Sequence, residues 1–448
     1  MSANKGASRH MHLGVFMDAA GHYASAWRFP STPTDRLFQL DYYKQLARTA
    51  ERGLLDVVFF SDRYGIPDRY GDHFAVTVKA LHAAHLDPFT VITALAGVTE
   101  RIGLAATVST SFSEPYLLAR QFATLELLSG GRSGWNIVTS TSDNEARNFS
   151  RERLLDHESR YERAREFVDA ANGLWDSWEE DAFVFDKAAG VYADPDKIHY
   201  LDHSGKYFRV RGPLDVPRSP QGRPVLIQAG SSDTGRDFAA SSAEVIFTAQ
   251  PSVEGARQFY ADMRARAQRF GRPADALKVL PGLMPIIAAT EREAKEKEQY
   301  LAEFADPLAG LAILSDQINY DLSVHPLDEP APQLAEVSGM QSRLKLVAKL
   351  TESESLTLRQ LGKFYGGSRM HRKVVGTPSQ VADFMQEWFA SRACDGFNLM
   401  PAYLPDSLDD VVGQVIPELQ SRGLFRTAYE GTTLRDHLGL SKPQTKRG

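Results

Sequence analysis

The strongest constraint on the fold is an eightfold alternation of short apolar segments with helical patterns along the 448 residues. Each segment suits a buried parallel strand, because its apolar run is too short to be amphipathic. Eight successive β-α units predict a parallel barrel. An open doubly wound sheet is the competing fold, but no Gly-x-Gly-x-x-Gly turn follows the first segment. The eight segments are Met11–Met17, Leu55–Asp62, Ile102–Ser109, Trp135–Val138 within Gly130–Ser140, Pro224–Gly230, Glu244–Gln250, Lys278–Ala289 and Asp395–Pro401.

Two stretches interrupt this alternation. The first, about residues 179–223, follows the fourth strand and its helix and has the composition of short strands and loops. The second, about 306–373, follows the seventh strand and is predicted to be part helix and part mobile lid. We therefore expect an α/β fold, a (β/α)8 TIM barrel in a single domain over residues 1–448, with a loose tail over about 438–448.

Composition excludes several classes of protein. The 51 basic and 57 acidic residues leave a net charge of −6, which gives no support to nucleic-acid binding. The single cysteine, Cys394, excludes a disulfide framework or a cysteine-rich metal site within the chain. No apolar run reaches the length of a membrane span, and residues 1–9 lack the apolar core of a secretory signal. The expected location is the cytoplasm.

Polar side chains lie near the carboxyl ends of the predicted strands, where barrel enzymes place their active sites. Hydroxyls and amides dominate, and no Gly-x-Ser-x-Gly nucleophile turn is present. His82 and His85 are three residues apart without a matching third ligand, so no metal site is expected. A polar but weakly ionisable set indicates that an organic cofactor supplies the reactivity. The candidates are Asp18, His22, Asp62, Tyr64, Thr107, Ser109, Asn136, Thr139, Ser140, Ser231, Ser232, Gln250 and Asn398.

The stretch Gly130–Ser140 combines a helix stop with an unusual strand. Its double glycine can adopt the left-handed conformation that ends a helix. Asn136 lies inside the apolar strand that follows, and a buried amide must find hydrogen-bond partners. Those partners are either neighbouring backbone groups or a ligand.

Other local patterns also have both a structural and a functional interpretation. Ser231 and Ser232 follow a glycine and precede a helix, so they can cap that helix or help to cradle a phosphate at its N-terminus. His157 and Tyr161 lie four residues apart on one helix face, either as a surface pair or within reach of a ligand. Asp62 could accept hydrogen bonds from a ligand or pair with a nearby arginine.

One stretch resembles the signature of a known family: residues 131–140, with the sequence Gly-Arg-Ser-Gly-Trp-Asn-Ile-Val-Thr-Ser. The family is that of the nitrilotriacetate/dibenzothiophene-sulfone monooxygenases, a branch of the bacterial-luciferase-like, FMNH2-dependent monooxygenases. The resemblance continues in the same order along nearly the whole chain. The further matching segments are Phe59–Asp62, Leu104–Phe112, Pro115–Arg120, Gln228–Ser232 and Val375–Ala382.

The resemblance implies a luciferase-like barrel that binds reduced FMN at the carboxyl ends of its strands. It implies that FMNH2 from a separate NAD(P)H:flavin reductase reacts with O2 at C4a, and that the resulting peroxide hydroxylates a small organic substrate or cleaves its C–N or C–S bond. His22 and Tyr64 are predicted to lie on the substrate side, and we expect a homo-oligomer, a dimer or a tetramer. The positions that match flavin contacts are Asp62, Thr107, Asn136, His157, Tyr161, Ser231 and, beside it, Ser232.

Two alternative activities and two substrate classes stay open at this point. The chain could be a deazaflavin-dependent oxidoreductase of the same superfamily, although the Trp-Asn-Ile-Val-Thr-Ser motif argues against this. It could also be a non-catalytic flavin-binding protein, which would have lost the strand-end hydroxyls and amides. A polyanionic substrate would need arginines, such as Arg28, Arg63 and Arg69. Aromatic side chains would instead suit an apolar substrate, and those available are Tyr23, Trp27 and Phe29.

Overall fold

The computed structural model describes residues 9–334 and 337–445. Its strands are β1 (His12–Met17), β2 (Val57–Phe60), β3 (Gly103–Ser109), β4 (Ser133–Val138), β5 (Phe183–Asp186), β6 (Val191–Ala193), β7 (His203–Ser204), β8 (Arg209–Val210), β9 (Val225–Gln228), β10 (Val245–Thr248), β11 (Lys278–Ile287), β12 (Arg372–Gly376) and β13 (Gly396–Leu399). Eight parallel strands close into a barrel in the order β1-β2-β3-β4-β9-β10-β11-β13, and β13 pairs back with β1. The predicted barrel is therefore confirmed.

Helices surround the barrel. They are α1 (Leu40–Arg52), α2 (Ala75–Ala80), α3 (Pro88–Ala96), α4 (Pro115–Ser129), α5 (Asp143–Arg147), α6 (His157–Trp175), α7 (Asp233–Ser242), α8 (Val253–Arg269), α9 (Glu291–Glu303), α10 (Pro307–Ile318), α11 (Gln341–Glu354), α12 (Leu358–Ser368), α13 (Pro378–Ala390), α14 (Asp406–Asp410), α15 (Ile416–Ser421) and α16 (Leu434–Leu438). In the described part of the chain, no helix is long and apolar enough to cross a membrane.

The helix that leads into β4 ends as the double glycine predicts. Pro115 opens α4 in its first turn, where its missing N–H is not needed. Gly130 has φ 68° and Gly131 has φ 85°, the left-handed conformation that stops a helix. This stop turns the chain into β4 and sets which residues of the strand face inward.

Alternation along β4 separates the barrel interior from the helical layer. Trp135 and Ile137 belong to the apolar cluster formed with α4 and α6. Asn136 points the other way and meets Thr107, its register partner on β3. The amide is thus held inside the barrel by the burial of its two neighbours.

Three phenylalanines close the floor of the barrel mouth. The ring of Phe16 on β1 lies 4.8 Å from that of Phe59 on β2 and 5.6 Å from that of Phe247 on β10, centroid to centroid. Both pairs meet edge to face, which favours aromatic contacts. The polar residues of the mouth lie above this apolar floor.

The two predicted insertions have different structures. Within residues 179–223 the chain forms two small antiparallel pairs, β5–β6 and β7–β8. Residues 306–373 contain α10, α11 and α12, and then enter β12 before the predicted boundary. The strand β12 was not predicted; it pairs in parallel with the carboxyl half of β11, outside the closed ring.

Glycines made the second insertion look irregular in the sequence, because glycine is a poor helix former. In the structure, they allow α10 and α12 to touch. A Cβ atom on Gly310 would lie 1.9 Å from the carbonyl oxygen of Gly362. Close packing of these two helices therefore outweighs their weak local propensity.

The carboxyl-terminal segment, where we expected a loose tail, contacts the rest of the protein at two described residues. Leu440 packs on the main core, and the carbonyl oxygen of Pro443 accepts a 2.7 Å hydrogen bond from Nη2 of Arg218. Residues 446–448 lie outside the described residues, as do residues 1–8 of the amino-terminal stretch considered for a secretory signal.

Candidate active site

Thr107 and Asn136 form a hydrogen-bonded pair in the barrel interior. The hydroxyl of Thr107 donates its proton to the carbonyl oxygen of Phe60, at 2.9 Å. It can therefore only accept from the amide of Asn136, whose Nδ2 lies 2.8 Å away. This orients the amide and leaves Oδ1 of Asn136 buried without a hydrogen-bond partner among the described residues. An acceptor held in this way can receive a ligand N–H or O–H.

A second amide in the barrel also has a buried, unpartnered oxygen. Asn398 on β13 lies between Gly14 of β1 and Gly282 of β11 in the strand register. A Cβ atom on Gly14 would lie 3.1 Å from Oδ1 of Asn398. The small neighbours thus leave room around this amide, which the strand-end rule had already selected.

The residues predicted to hold a phosphate meet at the N-terminus of α7. Ser232 is the N-cap, and its Oγ accepts from the backbone N–H of Gly235 at 3.1 Å. The same Oγ lies 3.3 Å from Nε2 of His157. The phenol of Tyr161 interacts with the side chains of Ser232 and Gln228. Ser232 therefore serves as a helix cap and is also part of a polar cluster.

Two glycines keep this cluster open. A Cβ atom on Gly235 would lie 2.8 Å from the phenol oxygen of Tyr161, and one on Gly230 would lie 2.9 Å from it. Ser231 adjoins the cluster, and its carbonyl oxygen accepts from Nε of Arg236 at 3.0 Å. The sequence did not single out Gln228, although it ends β9 and the strand-end rule could have found it. We call Tyr161, Ser231, Ser232 and His157 the α7 cluster.

His82 and His85 each meet a carboxylate that follows a barrel strand. Nε2 of His82 lies 2.8 Å from Oδ1 of Asp18, and Nε2 of His85 lies 3.1 Å from Oδ1 of Asp62. The hydrogen bond with Asp62 raises the pKa of His85. Asp62 also accepts from the backbone N–H of Arg63, at 2.8 Å. Each histidine thus has a carboxylate partner in the structure. The described residues contain no group of three or more potential metal ligands.

Tyr64 lies on the β2–β3 side of the mouth. Its ring packs at 5.1 Å from Phe149 and 6.0 Å from Phe112. Its phenol interacts with the backbone of Ser109 and the side chain of Ser113, and burial raises its pKa to about 12. The phenol is therefore neutral at ordinary pH.

His22 lies directly above the phenylalanine floor. Gly21, with φ 114°, lets the chain approach residue 403 closely, and the backbone N–H of His22 donates to the carbonyl of Pro401. Nε2 of His22 donates to the carbonyl of Phe16 at 2.9 Å, so Nδ1 is an acceptor without a partner among the described residues. Burial, with help from Arg369, lowers the pKa of His22 to about 4. The ring is thus a neutral hydrogen-bond acceptor.

His371 completes the other side of the floor and was not found in the sequence. Its ring stacks on Phe247 with an interplanar angle of 9°. Arg343 donates to its Nε2 from 3.2 Å, which places the ring proton on Nδ1. That Nδ1 is buried without a partner among the described residues. Burial, and after it Arg343, lowers the pKa of His371 well below the usual range.

Two of the three arginines proposed from the sequence for substrate binding are otherwise engaged, as are the aromatic side chains, whereas Nε of Arg69 is buried without a partner among the described residues. Nη2 of Arg63 pairs with Oδ1 of Asp316 at 2.7 Å, and Arg28 is exposed against Phe304. The three aromatic side chains are also used in the fold. Tyr23 and Phe29, which would have suited an apolar substrate, are buried in the main core. The indole of Trp27, the third of these aromatic residues, donates to the carbonyl of Ala80.

The predicted residues thus lie in separate parts of one mouth. Thr107 and Asn136 are inside the barrel, and the α7 cluster is one strand away, because Asn136 pairs in register with Ile227 of β9. The orphaned Asn136 oxygen suits a ring N–H, and a helix N-terminus with hydroxyls suits a phosphate. These two features fit a phosphorylated heteroaromatic cofactor such as FMN.

The chain matches a family model described as luciferase-like monooxygenase over residues 13–395. It is 50% identical over 438 residues to N-acetyl-S-(2-succino)cysteine monooxygenase of Bacillus subtilis (strain 168), covering 97% of this chain and 98% of that protein. It is 46% identical to nitrilotriacetate monooxygenase component A of Aminobacter aminovorans, covering 98% of each. It is 44% identical to dibenzothiophene-sulfone monooxygenase of Rhodococcus erythropolis (strain XP), covering 97% and 98%. The resemblance found in the sequence is confirmed.

A solved structure with the same architecture contains a flavin. The crystal structure of a riboflavin lyase with modified FMN and riboflavin superposes with a TM-score of 0.89 at 34% identity. The match covers 97% of this chain and 96% of that one. Similarity therefore extends over the whole barrel together with its inserted segments.

Proposed function

The chain belongs to the luciferase-like monooxygenase family and is a monooxygenase, and from this premise we propose that reduced FMN is its co-substrate. In this proposal the enzyme inserts one oxygen atom of O2 into a small organic substrate, by hydroxylation or by cleavage of a C–N or C–S bond. Reduced FMN, when bound, supplies the electrons that activate O2, and the resemblance implies that this occurs at C4a.

The observation that carries the proposal is the oriented, unpartnered amide oxygen of Asn136 inside the barrel mouth. A buried acceptor without a partner costs stability, so its retention indicates a ligand donor. Reduced flavins carry several ring N–H groups. We propose that Thr107 holds the Asn136 amide so that its oxygen accepts one of them.

The α7 cluster would hold the phosphate of FMN. Ser231 and Ser232 offer hydroxyls beside the positive end of the helix dipole, and His157 and Tyr161 border the same place. Asp62, at the end of β2, would accept a hydrogen bond from a flavin hydroxyl or ring N–H. These roles account for each cofactor-binding residue that the resemblance had implied.

The remaining residues of the mouth would shape the substrate side. The phenylalanine floor is apolar and buried, which would limit access of water to the reactive flavin. His22 presents a neutral acceptor above this floor, and Tyr64 a neutral phenol on the β2–β3 side. We propose that both position the substrate, His22 by accepting a hydrogen bond at Nδ1.

A separate reductase would supply the FMNH2. One relative is named as a component A, which fits an oxygenase that works with a second protein. We therefore propose an NAD(P)H:flavin reductase as partner, a homo-oligomeric assembly, and the cytoplasm as location. Reduced flavin would then pass between the two proteins as a diffusible co-substrate.

Anaerobic titration of the purified protein with FMN and with chemically reduced FMN tests this proposal. We expect clear preference for the reduced form, followed by a long-lived near-ultraviolet absorbance change when O2 is admitted. Binding of neither form would refute the flavin assignment. Substrate turnover that proceeds without O2 but needs a reduced deazaflavin would favour the deazaflavin alternative instead.

A further inference from the structure

Two arginines of the 306–373 segment reach the substrate side of the barrel mouth. Arg369 caps the carboxyl end of α12, and its Nη2 lies 3.5 Å from Oδ2 of Asp18, just beyond β1. Arg343 lies on α11; its Nη1 donates to the carbonyl oxygen of Arg369 at 2.7 Å, and its Nη2 donates to His371. The two guanidinium groups therefore flank the histidines above the phenylalanine floor.

The charges in this place are not balanced. Asp18 is the carboxylate within reach of Arg369, and it also accepts from His82 at 2.8 Å. Burial tends to raise the pKa of Asp18, but His82 and Arg369 outweigh it, so the carboxylate is fully ionised. His22 and His371 are neutral at ordinary pH. Among the described residues, Arg369 makes an ion pair with Asp18 and Arg343 makes none, so the positive charge here exceeds the negative. A sheltered excess of positive charge favours an anionic ligand.

Hydrogen-bond donors in the same place are also unused. Nε of Arg369 is buried without a partner among the described residues, and so is the N–H of His371 at Nδ1. The Arg369 side chain is 18% exposed, so it is sheltered but still reachable. An incoming carboxylate or similar oxyanion could accept from both donors, and charge-assisted bonds of this kind are the strong ones.

The backbone around Arg369 is strained in a way that aims these side chains. Arg369 has φ 50° and Met370 has φ 67°, two successive non-glycine residues in the left-handed region. Glycine normally fills such a position at the end of a helix. Strain of this kind persists where the surroundings impose it, and it clusters at ligand sites. Here it turns Arg369 toward Asp18 and His371 toward Phe247.

We propose that Arg369 and Arg343, together with His371, form a receptor for a carboxylate of the substrate, which is therefore an organic acid. This inference rests on the proposed function, since it names the substrate class of the same active site. The carboxylate lies away from the reacting atom and orients the substrate over the floor. The residues of the receptor bind and position the substrate and take no part in oxygen transfer.

Calorimetric titration tests the receptor on the intact protein, with and without FMN. The probes are nitrilotriacetate and propane-1,2,3-tricarboxylate, with the trimethyl ester of the latter as a neutral analogue. We expect the acids to bind the wild-type protein and the ester to bind it much more weakly. Arg369→Gln and Arg343→Gln should each weaken acid binding about 10- to 100-fold. The first removes a charged hydrogen-bond donor, and the second removes a positive charge together with the bond that keeps the ring proton of His371 on Nδ1.

Arg372→Gln is the matched control, since it removes the same charge three residues away. Arg372 is exposed on β12 and stacks over Phe384, outside the mouth. It should leave acid binding unchanged. Arg369→Lys keeps the charge but not the planar fork, so it should lose less affinity than Arg369→Gln. If Arg369→Gln does not fold, Arg343→Gln and Arg369→Lys carry the test.

Three outcomes would overturn the receptor. The acids could fail to bind a protein that binds FMNH2, or they could bind all variants equally. The arginine variants could also lose FMN affinity while riboflavin affinity stays unchanged, which would make the site an anchor for the flavin phosphate. Failure of the protein to bind any flavin would instead refute the proposed function, so the two failures are distinguishable.

Discussion

Replacing Asn136 by leucine should make the protein without flavin at least as stable as the wild type, while weakening its affinity for reduced FMN. The side chain is buried, with one hydrogen bond made and one acceptor unused. A residue kept only for the fold would show the opposite pattern. The two effects therefore separate a ligand-facing amide from a structural one.

The magnitudes follow from the hydrogen bonds. Loss of the bond from Asn136 to Thr107 costs about 1 kcal/mol, and Thr107 keeps its own bond to Phe60. Removal of the unpartnered oxygen returns about 1–3 kcal/mol. The free energy of unfolding without flavin should thus be unchanged or higher by up to about 2 kcal/mol. A flavin N–H left without its acceptor should cost about 2 kcal/mol of binding, a factor of roughly 30 in Kd.

Urea unfolding of the protein without flavin measures the first effect, and anaerobic fluorescence titration with FMNH2 measures the second. Asn172→Leu is the control, because Asn172 lies far along α6 and also has a buried, unpartnered amide oxygen. It should leave FMNH2 affinity unchanged. A variant at Asn136 that is destabilised by more than 2 kcal/mol and binds FMNH2 normally would refute the reasoning.

Three further predictions concern the α7 cluster, pH and a buried ion pair. Ser231→Asp should abolish measurable FMN binding through repulsion of the phosphate, whereas the control Ser241→Asp, further along α7, should bind FMN normally. Equal FMN affinities of the two variants in a titration would refute the proposed phosphate site. The pKa of His22 is about 4 in the folded protein and 6.5 in the unfolded chain, so between these pH values only the unfolded chain binds the proton. A contribution of about 3 kcal/mol to the free energy of unfolding is therefore present above pH 6.5 and is lost as the pH falls to 4. His22→Gln should flatten this part of the profile in urea unfolding, and parallel profiles would contradict it. Arg435 donates to both carboxylate oxygens of Glu244, and both side chains are buried. Arg435→Met should therefore lower the free energy of unfolding by about 3–5 kcal/mol, and adding Glu244→Gln should recover much of this loss. No loss of stability in Arg435→Met would contradict the prediction.

Local sequence patterns were enough to predict the barrel. The eight strands and the stop at Gly130 follow from short-range rules of burial and backbone conformation. The strand-end rule also selects Thr107, Ser232 and Asn398 from the sequence alone. The predictions of the barrel and of the helix stop hold because each depends on residues close together in the chain.

The contacts made by the residues of the mouth depend on tertiary structure. The sequence offered Arg28, Arg63 and Arg69. The structure engages the first two elsewhere, and Arg343 of α11 and Arg369 at the end of α12 lie beside the mouth instead. The sequence predicted helix in the 306–373 segment but not the positions of α10 and α12, because the use of glycine at their close contact depends on a partner about 50 residues away. His371 gained its role from Phe247 and Arg343, neither of which is its neighbour in the chain.

The physical reason for this division is the range of the interactions. Strand and helix formation depends on the periodicity of apolar residues and on the backbone preferences of glycine and proline, which a short window contains. The charge balance at Asp18 and the tautomers of His22 and His371 depend on donors and acceptors that meet only after the chain has closed into a barrel. Local sequence patterns are therefore enough to predict the barrel and the edge where we propose its active site. Which arginines, histidines and amides there have unused donors and acceptors depends on the folded chain.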